Sequence, residues 1–270
     1  MRVSLIITTY NWKEALAVVL ASAFGQTRLP DEIIVADDGS ADGTGELVRE
    51  ITRKAPVPVH HSWQEDKGFR AARSRNLAIS AATGEYLILI DGDIALERHF
   101  IEDHLAAARQ GFFVQGGRVL LDQRKTREAL AHGAVPLSFF ACGLANRKNA
   151  LRTRLLSRVF SCEAYGLAGI KTCNFAFFRE DALAVNGFDE DFEGWGREDS
   201  DFAARLRNHG IRRWNLRFQG VAFHLHHPVQ SRGRLPANDA ILARTVAENL
   251  TWCSNGIQKS KTERQKRGAV

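Results

Sequence analysis

Apolar and polar positions change places in blocks along the first hundred residues. The runs VSLIIT (3–8), EIIVA (32–36), VPVHH (57–61) and YLILI (86–90) are separated by helix-like segments, and this alternation predicts a parallel sheet in an α/β fold. Such sheets gather ligands at the carboxyl ends of their strands, so the residues directly after each run are the ones to inspect. Those residues are polar. The first run ends in Thr8-Thr9-Tyr10-Asn11, the second in Asp37-Asp38-Gly39-Ser40 and the fourth in Asp91-Gly92-Asp93. Ser40 is placed to cap the following helix, with Asp42 in its first turn. Lys67-Gly68-Phe69-Arg70 opens a helix carrying Arg73 and Arg75, where positive charge and free N–H groups face an anion.

Past residue 110 the pattern loosens. FFVQGGRVLL reads as a pair of strands, 126–160 as mixed helix and loop, CNFAFFR (173–179) as a strand and EDALAVN as a short helix before a turn at Gly187-Phe188-Asp189. Glu193-Gly194-Trp195-Gly196-Arg197-Glu198-Asp199 then leads into DFAARLRNHG, a helix stopped by Gly210. The expected organisation is one elaborated domain: a first half over 1–110, a second over 111–235, and a helix with a basic tail over 236–270.

Composition narrows the class. Hydrophobic residues at 44% and charged residues at 25% are ordinary for a globular chain. No apolar run reaches the ~20 residues of a membrane-spanning helix, and the expected location is cytoplasmic. Cys142, Cys162, Cys173 and Cys253 lack C-x-x-C spacing and read as reduced, mostly buried thiols. The net charge of +6 is concentrated in two places. Residues 259–270 hold five Lys/Arg against one Glu, and 147–158 carries Arg147, Lys148, Arg152, Arg154 and Arg158 with no acid. Nucleic acid, anionic lipid headgroups or a phosphorylated acceptor each fit such clusters, as does a solvated face.

The chemistry lies in the carboxylates. Asp91 and Asp93, two apart at a strand end, suit one hard cation, Mn2+ or Mg2+, whose shell a bound diphosphate completes. Alone, a D-G-D is more often a turn; Asp37, Asp38, Tyr10 and Arg70 at neighbouring positions strengthen the metal reading.

Together these residues resemble a known family. Residues 3–84 are similar to the nucleotide-binding half of inverting family-two glycosyltransferases, which have the GT-A fold, a Rossmann-like α/β arrangement for nucleotide-diphospho-sugars. Residues 173–228, with G-F-D-E-D-F, W-G-R-E-D and A-F-H-L-H-H-P, resemble the acceptor half of chondroitin-type polymerases and, more distantly, β-1,4-galactosyltransferases. The stretch between is left outside the resemblance and is where acceptor choice is expected to reside. The resemblance implies that Thr8 and Tyr10 form the nucleotide pocket, with Asp38 accepting the uracil N3–H, Arg70 beside base and phosphate, and Asp91 supporting ribose and metal. It implies Asp93 and His224 as metal ligands, with His226 and His227 close enough to compete. In W-G-R-E-D it makes Asp199 the catalytic base, Glu198 a partner of acceptor hydroxyls and Trp195 a platform for a sugar ring. Arg197 stands where the relatives usually carry Gly, and either narrows the acceptor pocket or binds an acidic acceptor.

The implied activity is transfer of a hexose or N-acetylhexosamine from a UDP-sugar to a saccharide acceptor, with inversion, in bacterial surface polysaccharide synthesis such as lipopolysaccharide core, capsule or exopolysaccharide. The basic segments suggest an anionic or lipid-linked acceptor and peripheral contact with the inner membrane. A sugar nucleotidyltransferase would need a glycine-rich basic loop where Thr-Thr-Tyr-Asn-Trp-Lys stands. A nucleic-acid-binding module would leave five aspartates at or beside strand ends unexplained and repulsive to phosphate.

Overall fold

The computed structural model describes residues 1–135, 139–228 and 232–259. Its strands are β1 (Val3–Thr9), β2 (Glu32–Asp37), β3 (Val59–Trp63), β4 (Tyr86–Asp91), β5 (Ile94–Leu96), β6 (Phe112–Gln115), β7 (Val119–Leu121), β8 (Leu144–Ala145), β9 (Cys162–Ala164), β10 (Phe175–Phe178), β11 (Arg212–Asn215) and β12 (Ala222–His224). Its helices are α1 (Lys13–Phe24), α2 (Thr44–Thr52), α3 (Ala71–Ala81), α4 (Phe100–Ala107), α5 (Gln123–His132), α6 (Arg154–Phe160), α7 (Arg179–Ala184), α8 (Glu198–Asn208) and α9 (Leu235–Ala247).

The large sheet runs β3-β2-β1-β4-β10-β6-β11-β9. Its first four strands are parallel, as the block pattern predicts, and β10 is antiparallel to both β4 and β6. Because β1, β2 and β4 are apolar on both faces, they sit mid-sheet under two helical layers. Leu16, Val19, Val48 and Phe100 of α1, α2 and α4 fill one side, and Ala78, Ile79, Phe202 and Leu206 of α3 and α8 the other. A smaller sheet, β5-β12-β7-β8, packs through Val119 and Phe223 against Ala15 and Val18 of α1. No helix of the described residues is long and apolar enough to cross a membrane.

Several expectations need correction. The third strand starts at Val59, because Pro58 has no N–H to give a ladder and contributes only its carbonyl, to Ile33 N. β6 and β7 do not pair with each other: β6 lies in the large sheet and β7 in the small one. Between them Gly116-Gly117 passes so close to Asn174 that a Cβ at Gly116 would come within 2.3 Å of it, and the Asn174 amide donates to the Gly117 and Gly220 carbonyls. Ser40 does not cap α2; its hydroxyl accepts Asn11 N–H, and Asp42 takes the N–H and hydroxyl of Thr44 instead. Only Cys173 and Cys253 are buried thiols, Cys142 and Cys162 being exposed. The 147–158 cluster is not unopposed either. Arg152 holds both oxygens of buried Asp103, at 2.9 and 2.7 Å, and Arg154 reaches Glu102 at 2.5 Å. Of the basic tail, Lys259 pairs with Glu190 and the remainder, 260–270, lies outside the described residues.

Helix α8 is fixed by a buried ion pair. Arg205 and Asp201, 1% and 0% exposed as side chains, meet at 2.8 Å. Arg205 also donates to the Val185 and Gly187 carbonyls, while Thr245 of α9 donates to Asp201 at 2.6 Å. Replacing Arg205 by Leu leaves Asp201 buried without its cation and is expected to destabilise the protein by about 3–5 kcal/mol in urea denaturation. Adding Asp201→Asn to that variant should recover part of the loss; a single-variant effect below about 1 kcal/mol would show that the pair does not hold α8.

Candidate active site

Parallel pairing sets the polar strand ends side by side. Thr8 of β1 is in register with Asp91 of β4, and Thr9 with Asp37 of β2. Gly92 N–H donates to the Thr8 carbonyl at 2.7 Å, and a Cβ at Gly92 would sit 2.8 Å from Thr9 Oγ1, so the D-G-D turn needs glycine for close approach. These ends form one wall of a cleft of about 890 Å³, and the segment from Trp195 to Ser200 forms the other. All the residues assigned from sequence line this cleft except Arg70.

Asp93 and His224 come together through the small sheet. β5 follows Asp93 directly, β12 pairs with it so that His224 faces Ile94, and Leu225 N–H donates to the Asp93 carbonyl. His224 Nε2 lies 3.5 Å and His227 Nε2 3.2 Å from Asp93 Oδ2. These three residues present ligand atoms within 4.8 Å of one another, and His227, not His226, completes the set. The donors suit a divalent cation. Burial, with the Asp91 charge next to it, pushes the Asp93 carboxyl up to about 8, and its Oδ1 is buried without a hydrogen-bond partner. Burial, assisted by Arg118, pushes His224 down to about 3, so its ring is neutral and free to coordinate at pH 7. Two imidazoles and a carboxylate fit Mn2+ well, and Mg2+ less well because it prefers oxygen.

Arg75 of α3 ties this wall to the opposite one. It is 4% exposed, lies 3.5 Å from Asp91 and 3.1 Å from Glu198, and burial works against its charge while the two carboxylates outweigh that. Asp91 is nonetheless pushed upward by burial. Next to Glu198, Asp199 is raised to about 7 by burial and by the Glu198 charge. It lies in the first turn of α8, where Ser200 N–H donates to its Oδ1 at 2.7 Å, and it lines the cleft. The Trp-Gly pair before it serves as a turn: Gly196 and Arg197 have φ of 105° and 80°, and Trp195, 36% exposed, presents its ring to the cleft beneath the Arg232 guanidinium. Arg197 therefore occupies a left-handed conformation that glycine adopts at no steric cost, and its guanidinium is held by Asp239 at 2.5 Å.

Tyr10 is 46% exposed at the cleft rim and donates to Asp66 at 2.9 Å. Asp38 is buried and raised by that burial; it accepts Arg70 N–H at 2.7 Å and the Gln64 amide. Arg70 thus contributes its backbone here, while its guanidinium turns away to Glu193 at 3.2 Å and a smaller cavity. Thr8 Oγ1, Arg75 Nε and Glu198 Oε2, like Asp93 Oδ1, are buried polar atoms without partners, the sign of a site built for a polar ligand. Sequence reasoning missed Arg118 and Lys171, which bring positive charge to the cleft. An arginine after Gly-Gly and a lysine before a strand carry no motif.

Known proteins resemble this chain in sequence and in fold. Residues 4–184 match the family described as Glycosyl transferase family 2, and 157–228 match the N-terminal domain of galactosyltransferase. The first match runs through the middle stretch that the resemblance left out. Among curated relatives, Escherichia coli chondroitin synthase is 28% identical over 77% of this chain and 32% of its own length. A validoxylamine A glucosyltransferase of Streptomyces hygroscopicus subsp. limoneus is 30% identical over 77% of this chain and 48% of its own. The chain therefore spans about a third to about a half of these relatives' length. Among solved structures, S. aureus TarS 1–349 in complex with UDP-GlcNAc superposes with a TM-score of 0.65 at 19% identity, covering 98% of this chain and 70% of that one. A mannosyltransferase from Pyrobaculum calidifontis in complex with GDP-Man and Mn2+ gives 0.60 at 20% identity, covering 93% and 69%. The fold is the expected GT-A arrangement.

Replacing Asp93 by Ala removes the carboxylate that both imidazoles face. Calorimetric Mn2+ binding should weaken by more than the roughly 10–100-fold that loss of a supporting group costs, at an unchanged or raised melting temperature. Unchanged affinity would place the cation elsewhere.

Proposed function

The chain belongs to glycosyl transferase family 2, and from that premise we propose that it transfers a hexose or N-acetylhexosamine from a UDP-sugar to a saccharide acceptor, with inversion, in the building of a bacterial surface polysaccharide. One observation carries the reading: a single cleft joins an Asp93–His224–His227 cluster on one wall to Asp199, a carboxyl with neutral-range proton affinity, on the other. The relatives' ligands, UDP-GlcNAc for TarS and GDP-Man with Mn2+ for the mannosyltransferase, support a nucleotide-diphosphate donor.

The residues divide the work. Tyr10 offers a ring to the uracil face and Asp38 an acceptor to its N3–H, while Thr8 and Asp91 border the ribose. Arg118 and Lys171 balance the diphosphate charge. Asp93, His224 and His227 would hold Mn2+ or Mg2+, which when bound supplies Lewis-acid stabilisation of the departing diphosphate. Trp195 lies under an acceptor sugar ring, and Glu198, oriented by Arg75, receives acceptor hydroxyls. Asp199 takes the proton of the attacking hydroxyl as its oxygen bonds to the anomeric carbon. The bond from that carbon to the β-phosphate oxygen breaks from the opposite side, and UDP leaves with the electron pair. One displacement inverts the centre once. Arg197 is engaged by Asp239, so an acidic acceptor would meet Lys171 and Arg232 in the cleft rather than the 147–158 cluster.

A panel of UDP-sugars with Mn2+, read out as released UDP, tests the activity: release that depends on acceptor and stops with chelator is expected, and no release with any UDP-sugar would refute the donor class. Asp199→Asn should slow transfer by about 100- to 10,000-fold with UDP affinity unchanged, and loss of UDP binding would contradict the base role. The base must be ionised to accept a proton, so a raised pKa removes activity from the acid side. Transfer in the wild-type chain should fall about tenfold per pH unit below about 7 and level off above it. A rate flat from pH 5 to 8 would exclude Asp199.

A further inference from the structure

Of the residues of α6, Ser157 is buried and Leu156 half-buried, and the others are exposed. Opposite Ser157 stand Leu155 and Val159, 71% and 68% exposed, with Phe160 alongside at 54%. At ~100° per residue the free surface of the helix divides in two, with Arg154 and Arg158 on one side and Leu155, Val159 and Phe160 on the other. The Phe160 ring packs 5.5 Å from that of Phe218, whose neighbour Arg217 is also exposed. Hydrogen bonds from Thr153 N–H to the Phe218 carbonyl and from Arg217 N–H to Ser161 hold the two segments together. The apolar patch is thus continuous and bordered by cations.

The charge around it is one-sided. Between residues 139 and 170 the only acid is Glu163, and Arg212 engages it at 3.1 Å. Among the described residues the Arg158 and Arg217 guanidinium groups form no ion pair. Large exposed apolar side chains next to unneutralised cations suit a surface that is negative outside and apolar beneath. We propose that this face docks the protein on an anionic lipid surface, Leu155, Val159 and Phe160 entering the boundary between headgroups and acyl chains and Arg158 and Arg217 meeting the phosphates. A second copy of the chain is a poorer occupant, because a two-fold pairing of the patch brings both sets of arginines into one interface. In sequence β9 follows α6, and residues 167–171 after it line the cleft. The inference stands whether or not the transfer reaction is the one proposed.

Flotation of the full chain with phosphatidylcholine vesicles, with and without phosphatidylglycerol, tests it. The protein should float only with the anionic vesicles. Leu155→Asp combined with Val159→Asp, and separately Arg158→Glu combined with Arg217→Glu, should each weaken partitioning by about tenfold or more at an unchanged melting temperature. The same chain with Lys261, Arg264, Lys266 and Arg267 changed to Gln should float like wild type. Absence of wild-type binding, binding by the α6 variants equal to wild type, loss of binding in the tail variant, or self-association abolished by the α6 variants would each overturn the assignment.

Discussion

A buried cation between two carboxylates sets the terms for the rest of this molecule. Arg75 is a helix residue with almost no access to water, its guanidinium beside Asp91 at the end of β4, beside Glu198 at the start of α8, and 5.4 Å from the Phe188 ring. A lone charge in that position would cost several kcal/mol, and two lone carboxylates more, so the three are stable only together. The consequence is geometric. Arg75 of α3, which meets the strand ends, and Glu198, which opens the opposite wall, are 123 residues apart in the chain, and their contact fixes the spacing of the two walls.

The same burial gives the site its chemistry. Low solvent access raises Asp93 and Asp199 into the neutral range and lowers His224 far below it, which leaves one carboxyl able to exchange a proton near pH 7 and one imidazole free to bind metal. The arrangement has a stability cost. Unpartnered polar atoms on Thr8, Asp93 and Glu198 and a left-handed Arg197 are local penalties that the sheet, its two helical layers and the Arg205–Asp201 pair elsewhere in α8 offset.

The parallel half was legible because its signals are local. Apolar runs give β1, β2 and β4, and the residues after them had to share an edge, so Thr8, Asp38, Asp91 and Asp93 could be assigned to one place before any geometry was known. What failed was decided by contacts distant in sequence. Nothing near Ser40 shows that its hydroxyl serves Asn11, and nothing near Arg152 shows that Asp103 neutralises it. Gly116-Gly117 looks like a hairpin turn until Asn174 occupies its far side. His226 and His227 differ by one position, and only the path after β12 turns His227 toward Asp93. Arg75 and Arg70 both read as anion binders, yet Arg75 meets two carboxylates of the protein itself and Arg70 lends its backbone.

Whether one cation couples the two walls of the cleft is decided by a double-mutant cycle of Asp91→Asn and Glu198→Gln, with unfolding free energy measured for all four proteins. A coupling of about 1 kcal/mol or more is expected, because each substitution changes what Arg75 offers the other carboxylate. Additivity to within about 0.5 kcal/mol would show that the two walls are held independently and would contradict it.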